Sequence, residues 1–593
     1  MRIARWLAAA SLLLVSFAAA AADSSKVLHV ALSIAETSFD PILGWDAASE
    51  SVIEEISETM LGYEYLARPV KLAPLTLERL PEVSDNGATY VCHLRKGIFF
   101  ASDPAFKGKP RELVAADYAY SLKRLLDPAL KSPWTWILEG KLVGGDEFQA
   151  VAKKGGRLDY DAPLPGLQVV DRYTLRIRLT RPDYTFAYVL AMPATAAVAR
   201  EVVEAFGNDF GAHPVGTGPY LLKEYKRSSR IVLEANPGFR KLIFDEPVPS
   251  NREDAAIARS LRGRQIPAIG RIEVSVIEEG QPRWLAFLRG ELDYLQPFPI
   301  DFIDELLVDG KLRPELAAKG IRHELLLRPN TWWAYFNMED PVVGGYTPEK
   351  IALRRAIGMA FNTDEFIKVL FHGRAIPAYG PIPPDIAGYD PGHKTQAQVY
   401  DPAAARALLD RFGYKDRDGD GYRELPDGKP LTIEYWSRPT SAQRQIDELW
   451  KKNMDAIGIR MAFKKDQTPE LRKMARAGKI QMRQDGWNAD YPDADNYMQL
   501  LYGPYIGQAN DSRFNLPEFN QLYEQSRRLP DSPERTKLFD RMTDLEIAYA
   551  PWKLTHHLLE DHALHDWVIG YKPHPIMSDI WKYLDIDAAK RPR

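Results

Sequence analysis

Along the mature part of the chain two hydrophobic rhythms take turns, one of period two and one of three to four residues. The stretch from Lys26 to Ile34 (KVLHVALSI) is a β-rich run, which predicts a core strand. Val52, Ile53, Ile56 and Met60 then recur at helical spacing. TYVCHLRKGIFF reads as a strand in which Cys92 alternates with Tyr90 and Leu94. Ala115 to Pro128 reads as a helix striped by Tyr118, Leu122, Leu125 and Leu126. Thr347 caps a later helix with Pro348 at its first position, Gly373 lies past its end, and a second cap at Asn362–Thr363 predicts a break. Asp401–Pro402 opens a helix that Gly413 closes. Ser441 opens another, with Ile446, Leu449, Trp450 and Ile457 on one face before Gly458, and the strand IRMAF follows. Strands separated by helices predict an α/β architecture rather than a sandwich.

One segment fits neither rhythm: DGWNADYPDADNY, Asp485 to Tyr497. Gly486 permits close approach to the backbone, and Trp487 and Tyr491 offer flat walls with polar edges. Asp490 sits between the two aromatics, Asp493 and Asp495 follow, and Pro492 keeps the segment out of helix. A carboxylate between aromatic faces suits an ammonium group, since charge and ring quadrupole both favour a cation. The competing reading is an Asp- and Pro-rich surface turn.

Composition narrows the setting. Residues 1–22 carry Arg2 and Arg5, a short apolar run and small residues up to Ala22, the pattern of an export signal cleaved near Ala22. No cysteine stands there to take a lipid, which predicts a free periplasmic protein. No later stretch reaches the roughly 18 uninterrupted apolar residues of a membrane span. The 593 residues are 45% hydrophobic, with 77 basic against 81 acidic residues and a formal charge of −4. Without a basic run, a nucleic-acid partner is disfavoured. Cys92 is the single cysteine, so no intramolecular disulfide forms.

Motifs for a nucleophile elbow, a zinc protease or a phosphate loop are missing from their proper contexts, which argues against an enzyme and requires no cofactor. DRDGDGYRELPD places Asp416, Asp418, Asp420 and Gly421 as in a calcium loop, yet position twelve is Asp427 instead of glutamate. A hairpin turn is the reading of choice, and no metal ligand is assigned. His556 and His557 are adjacent, so in a strand they face opposite ways and chelate poorly; His562 and His565 are likewise read as structural.

Several motifs in order carry a resemblance. NGATYVCHLRKGIFF…LVAADYAYSLKRLLDP, then VGTGPY at Val215 to Tyr220, the Asn236–Pro237 pair, the Gly290/Asp293 ending and TWWAYFNME resemble solute-binding protein family 5, the peptide- and dipeptide-binding proteins of ABC importers. The resemblance runs from about Val27 to Pro573. It implies a two-lobe α/β periplasmic-binding-protein fold with a hinge. Lobe I would hold 26–66, 201–325 and 552–593, an extra domain 67–200 would pack on it, and lobe II would be 330–550. Crossings near 328–334 and 548–554 would form the hinge, and lobes would close on the ligand.

GWNADY is similar to the family segment whose aspartate pairs with a ligand's α-ammonium, which implies that role for Asp490, with Trp487 as a wall and Gly486 offering backbone groups. Trp436 and Arg438 (EYWSRPT) would line the cleft, Arg438 either meeting a ligand carboxylate or standing as an ordinary surface arginine. The implied protein is a monomeric periplasmic binder that hands a peptide-like solute to a membrane permease and ATPase. The alternatives are a secreted peptide hydrolase, and a receptor for haem, a metal chelate or a membrane sensor.

Overall fold

The computed structural model describes residues 22–153, 158–578 and 580–592. The export signal read over 1–22 therefore lies, Ala22 apart, outside the described residues. Among the described residues no helix is long and apolar enough to cross a membrane.

The first strand, Asp23–Leu32, pairs in parallel with Ile269–Val276, and Arg230–Ala235 and Tyr220–Lys226 extend the sheet antiparallel. Leu28 and Val30 fall opposite Ile272 and Val274 and are buried with Ile231 and Leu233 in one core. The alternation in KVLHVAL thus places one face inward. Helix Ala47–Ile56 is capped by Asp46, which accepts from the Ser49 amide at 2.8 Å, and sends Val52, Ile53 and Ile56 into that core. It ends a turn before its periodicity predicts. Ser57 takes an extended backbone, which redirects Met60 into a different core, that of the extra domain.

That domain is an antiparallel sheet of Glu82–Ser84, Thr89–His93, Thr174–Arg178 and Leu167–Asp171 under helix Ala115–Leu125, whose Tyr118, Leu122 and Leu125 are fully buried. Cys92 is buried in it, and burial pushes its thiol up to about 12, so it is no nucleophile.

The second lobe is built on strands Asn330–Phe336, Met482–Asn488, Thr432–Ser437 and Arg460–Lys465, the first pair antiparallel and the rest parallel. Both faces are covered. Phe336, Ile433 and Tyr435 pack with helices Pro348–Ala360 and Ser441–Asp455, while Trp333 and Tyr335 pack with Pro517–Arg527 and Pro533–Tyr549. The break predicted at Asn362 is present: its side-chain oxygen accepts from the Glu365 amide at 3.0 Å and opens helix Thr363–Phe371. Thr440, one residue before Ser441, caps the helix that follows Thr432–Ser437.

One long strand, Trp552–His565, joins the lobes. Its residues 552–558 pair with Asn330–Phe336 and Ala375–Pro377 of the second lobe. Residues 559–565 pair with Ile321–Leu327 of the first, and Tyr294–Leu295 lies on Ala563 and Leu564. The other crossing is made by Arg328 and Pro329, between Ile321–Leu327 and Asn330–Phe336. Thus the second crossing falls inside a strand rather than at 548–554, and residues 552–558 belong with the second lobe rather than the first. Ladder pairing therefore continues on both sides of the junction.

Candidate functional site

The segment DGWNADYPDADNY forms the end of strand Met482–Asn488 and the turn into helix Asp495–Met498. Alternation sends Arg483, Asp485 and Trp487 to one face, opposite Tyr335, Trp333 and Thr331, and Gly486 to the other. Trp332 lies directly across from Gly486, and a Cβ there would come within 2.4 Å of its ring. Only glycine fits beneath that indole, which then stacks on His556 at 5.9 Å. The bare face of Gly486 is filled by protein, so the open backbone expected there is taken by Trp332.

Asp490 is half-buried and held by Asn496. The Asp490 amide donates to Asn496 Oδ1 at 3.0 Å, and Asn496 Nδ2 donates to Asp490 Oδ2 at 2.9 Å. The Trp487 indole N–H donates to the same Asn496 Oδ1 at 2.9 Å. One buried asparagine therefore sets wall and carboxylate together, and nothing in the linear sequence singles it out. No arginine or lysine pairs with Asp490 among the described residues, and burial pushes its carboxyl up to about 6.

The neighbouring carboxylates are differently placed. Asp493 takes a bidentate pair from Arg535 at 2.6 and 2.8 Å. Asp495 accepts from the Tyr491 hydroxyl at 3.0 Å. The Tyr491 ring stacks on Tyr188 of the extra domain, with 5.7 Å between centroids and 7° between planes. Arg527 beside them is paired with Asp183, also of the extra domain. Tyr491 thus belongs to a seam between domains.

Across from Asp490 stands helix Ala47–Ile56 of the first lobe. Glu50 and Glu54 lie one turn apart on it and receive Ser578, whose hydroxyl donates to Glu50 at 3.0 Å and whose amide donates to Glu54 at 3.3 Å. Burial, then Glu54, pushes the Glu50 carboxyl up to about 8, and the charge on Asp490 is near enough to add to the rise. The Arg472 guanidinium sits 5.8 Å from the Trp45 ring, a further contact between lobes.

Trp436, half-buried on Thr432–Ser437, packs at the edge of the same core as Trp487, and its indole N–H has no hydrogen-bond partner. Arg438 stands exposed past that strand and pairs with no carboxylate among the described residues. Asn496 thus ties Asp490 to Trp487, while Trp436 stands opposite Arg483, four residues earlier on the same strand. Tyr491 lies in the seam, the Cα of Gly486 faces Trp332, and Arg438 is exposed beyond the strand. Glu50 and Asn496 had no motif to mark them. A helical pair of acids at i and i+4 is the one signal a sequence carries for the first.

The carboxylate oxygens of Asp416, Asp418, Asp420 and Glu424 gather within 4.8 Å. Asp416 accepts the amides of Gly419 and Gly421 at 2.7 and 3.0 Å, Arg460 pairs with Asp420, and Asp427 pairs with Lys429 at 2.8 Å. The loop is bracketed by an antiparallel bridge between Lys415 and Glu424. His556 and His557 are buried on opposite sides of their strand, His556 against Trp332 and His557 bonded to the Asn330 carbonyl at 2.7 Å. Burial pushes them down to about 3 and about 4, so both stay neutral.

Residues 71–508 match the model of a family described as bacterial extracellular solute-binding proteins, family 5 Middle. The chain is 26% identical to di/tripeptide-binding protein 2 of Pseudomonas aeruginosa, over 97% of this chain and 98% of that one. It is 24% identical to heme-binding protein A of Haemophilus influenzae, over 96% and 94%. Among solved structures it is similar to an ABC transporter-associated periplasmic binding protein of Helicobacter pylori in complex with the peptide STSA. That likeness has a TM-score of 0.70 and 21% identity, and covers 95% of this chain and 98% of the other.

Proposed function

The chain belongs to the bacterial extracellular solute-binding proteins of family 5, and from that premise we propose that it captures a short peptide by its free amino terminus. The ligand's α-ammonium pairs with Asp490, Trp487 and Trp436 flank it, and the indole N–H of Trp436 serves a ligand carbonyl. The protein acts in the periplasm, after loss of the segment 1–22, and delivers its solute to an ABC permease and ATPase. It has no catalytic step of its own.

The observation that carries this reading is the state of Asp490. A carboxylate pushed up to about 6 by burial, with only neutral hydrogen-bond donors, is costly unless a cation arrives. The names of the relatives that bind di- and tripeptides, and the fold shared with a peptide complex, point the same way.

The test is a thermal-shift screen of free and N-acetylated di- to pentapeptides, with haem as a competing ligand. At ligand about 100-fold above its dissociation constant, linkage adds about 2.7 kcal/mol to stability. Free peptides should raise the melting temperature and acetylated ones should not. A shift with haem alone would replace the peptide reading.

A further inference from the structure

The extra domain touches its two neighbours in different ways. With the first lobe it shares a hydrophobic core, in which Ile42, Met60 and Val215 are buried beside Tyr118 and Leu122. Among the described residues, that core takes no side chain from 330–551. Toward the second lobe the contacts are polar or flat. Arg527, at the end of helix Pro517–Arg527, pairs with Asp183, and its carbonyl accepts from the Tyr184 amide at 3.4 Å. Tyr188 stacks on Tyr491 beside them. Surfaces joined by a common core move as one body, whereas a small polar seam can part and re-form.

Both charges are sheltered while the seam is made. Asp183 is 3% exposed, and its other oxygen accepts from the Thr185 hydroxyl at 2.6 Å. Asp495 stands 3.9 Å from the Arg527 guanidinium and accepts from the Tyr491 hydroxyl at 3.0 Å. Tyr491 directly follows Asp490, so the seam holds the segment that carries the ammonium site. A buried ion pair is close to neutral against its two solvated members, but burying one charge without the other is strongly unfavourable. Such a pair forms and separates at little cost when both members are present. With one missing, it resists closing.

We propose that Asp183 and Arg527 form a closure latch, paired when the lobes close on a solute and solvated separately when they open. They are positioning residues that set affinity without touching the ligand, and Tyr188 supports them through its stack on Tyr491. The latch requires that the lobes close round a solute, and it does not depend on that solute being a peptide.

The test titrates the full-length mature protein with the free peptide that gives the largest melting shift, or with haem if haem alone shifts it. X-ray scattering of empty and saturated protein reads closure as a fall in radius of gyration. Asp183→Asn leaves Arg527 without its partner in the closed form and should weaken binding by roughly 10- to 100-fold. The loss is smaller than for an isolated charge because Asp495 stays beside the guanidinium. Arg527→Met should cost at least as much. The double variant Asp183→Asn/Arg527→Met should recover most of the loss, since no uncompensated charge is left to bury. Tyr188→Leu keeps apolar bulk and loses the stack, for a loss of about 2- to 10-fold. Melting of the empty variants checks that they fold. Single-variant affinities within twofold of wild type would overturn the latch, as would losses that simply add in the double variant. An unchanged radius of gyration when wild type is saturated would overturn it too, because the seam would then be permanent. Should a charge variant fail to fold, an unchanged affinity in Tyr188→Leu would still overturn the latch.

Discussion

Asp490 and Asp493 lie three residues apart in the turn after strand Met482–Asn488, and their surroundings separate them completely. Asp493 turns into the second lobe, where Arg535 grips both its oxygens and Arg527 locks the adjoining seam to Asp183 of the extra domain. Asp490 meets neutral donors, the amide of Asn496 foremost, and pairs with no cation among the described residues. One carboxylate has a partner within the chain, and the other is held ready without one. A seam whose charges are paired gives rigidity. A wall whose charge is oriented but unpaired gives affinity for what arrives, because the protein has already met the cost of orienting it.

The contrast predicts opposite responses to substitution. Arg535→Met should be the more damaging to the fold. It leaves Asp493 buried without its cation, which costs about 3–5 kcal/mol. Urea denaturation of the apo protein measures it, and a loss under about 1 kcal/mol would show that the seam is not held by this pair.

Asp490→Asn should invert the pattern. Binding of a free peptide should fall by about 2–5 kcal/mol, roughly 30- to 4,000-fold in dissociation constant. The apo fold should hold or gain about 1–2 kcal/mol at neutral pH, since the variant no longer keeps a carboxylate in a place that disfavours its charge. N-acetylation should cost wild type most of its affinity and the variant little more, as both changes remove one contact. Equal binding of acetylated and free peptide by wild type would reduce Asp490 to a turn residue.

The pH dependence sharpens the same point. The Asp490 carboxyl is up at about 6 when folded, against about 4 in the unfolded chain. A raised acid stabilises the fold fully below the unfolded value, and that contribution is lost as pH rises through the folded one. The stability of wild type relative to Asp490→Asn should therefore decline between about pH 4 and 6 and level off above. Peptide affinity should rise through the same window, roughly tenfold per unit at its acid side, because the ammonium needs the ionised form. Parallel melting curves for the two proteins across that window would contradict the burial of Asp490.

The smallest effect is expected at the acidic loop. Asp416, Asp418, Asp420 and Glu424 converge, but Arg460 already pairs with Asp420 and Asp427 turns to Lys429. Chelation should leave the melting temperature within about 1 °C and peptide affinity unchanged. A saturable calcium isotherm of micromolar affinity or tighter would mean that the ion displaces Arg460.

Much of the fold was legible because it rests on local rules. Helix starts at Asn362 and Asp401 follow from side chains that bond the first free amides, and those partners are three residues away. The β-rich run Lys26 to Ile34 marked the first strand. The end of helix Ala47–Ile56 was not legible, because Met60 keeps the helical spacing while packing in another core. Of the residues singled out for the cleft, Trp487 and Asp490 share Asn496, whereas Gly486 lies against Trp332 and Tyr491 stacks on Tyr188.

By itself the sequence determined the order of strands and helices, the family resemblance and the segment richest in ligand-like chemistry. Those depend on spacing and residue type, which a linear chain displays. Only the tertiary structure decided which of three aspartates within six residues stays unpaired, and which lobe supplies the facing charge. Arg535 lies 42 residues from Asp493, and Glu50 lies hundreds from Asp490. A carboxylate's role is set by the charges and hydrogen-bond donors within a few ångströms of it, and those neighbours come together only when the chain folds.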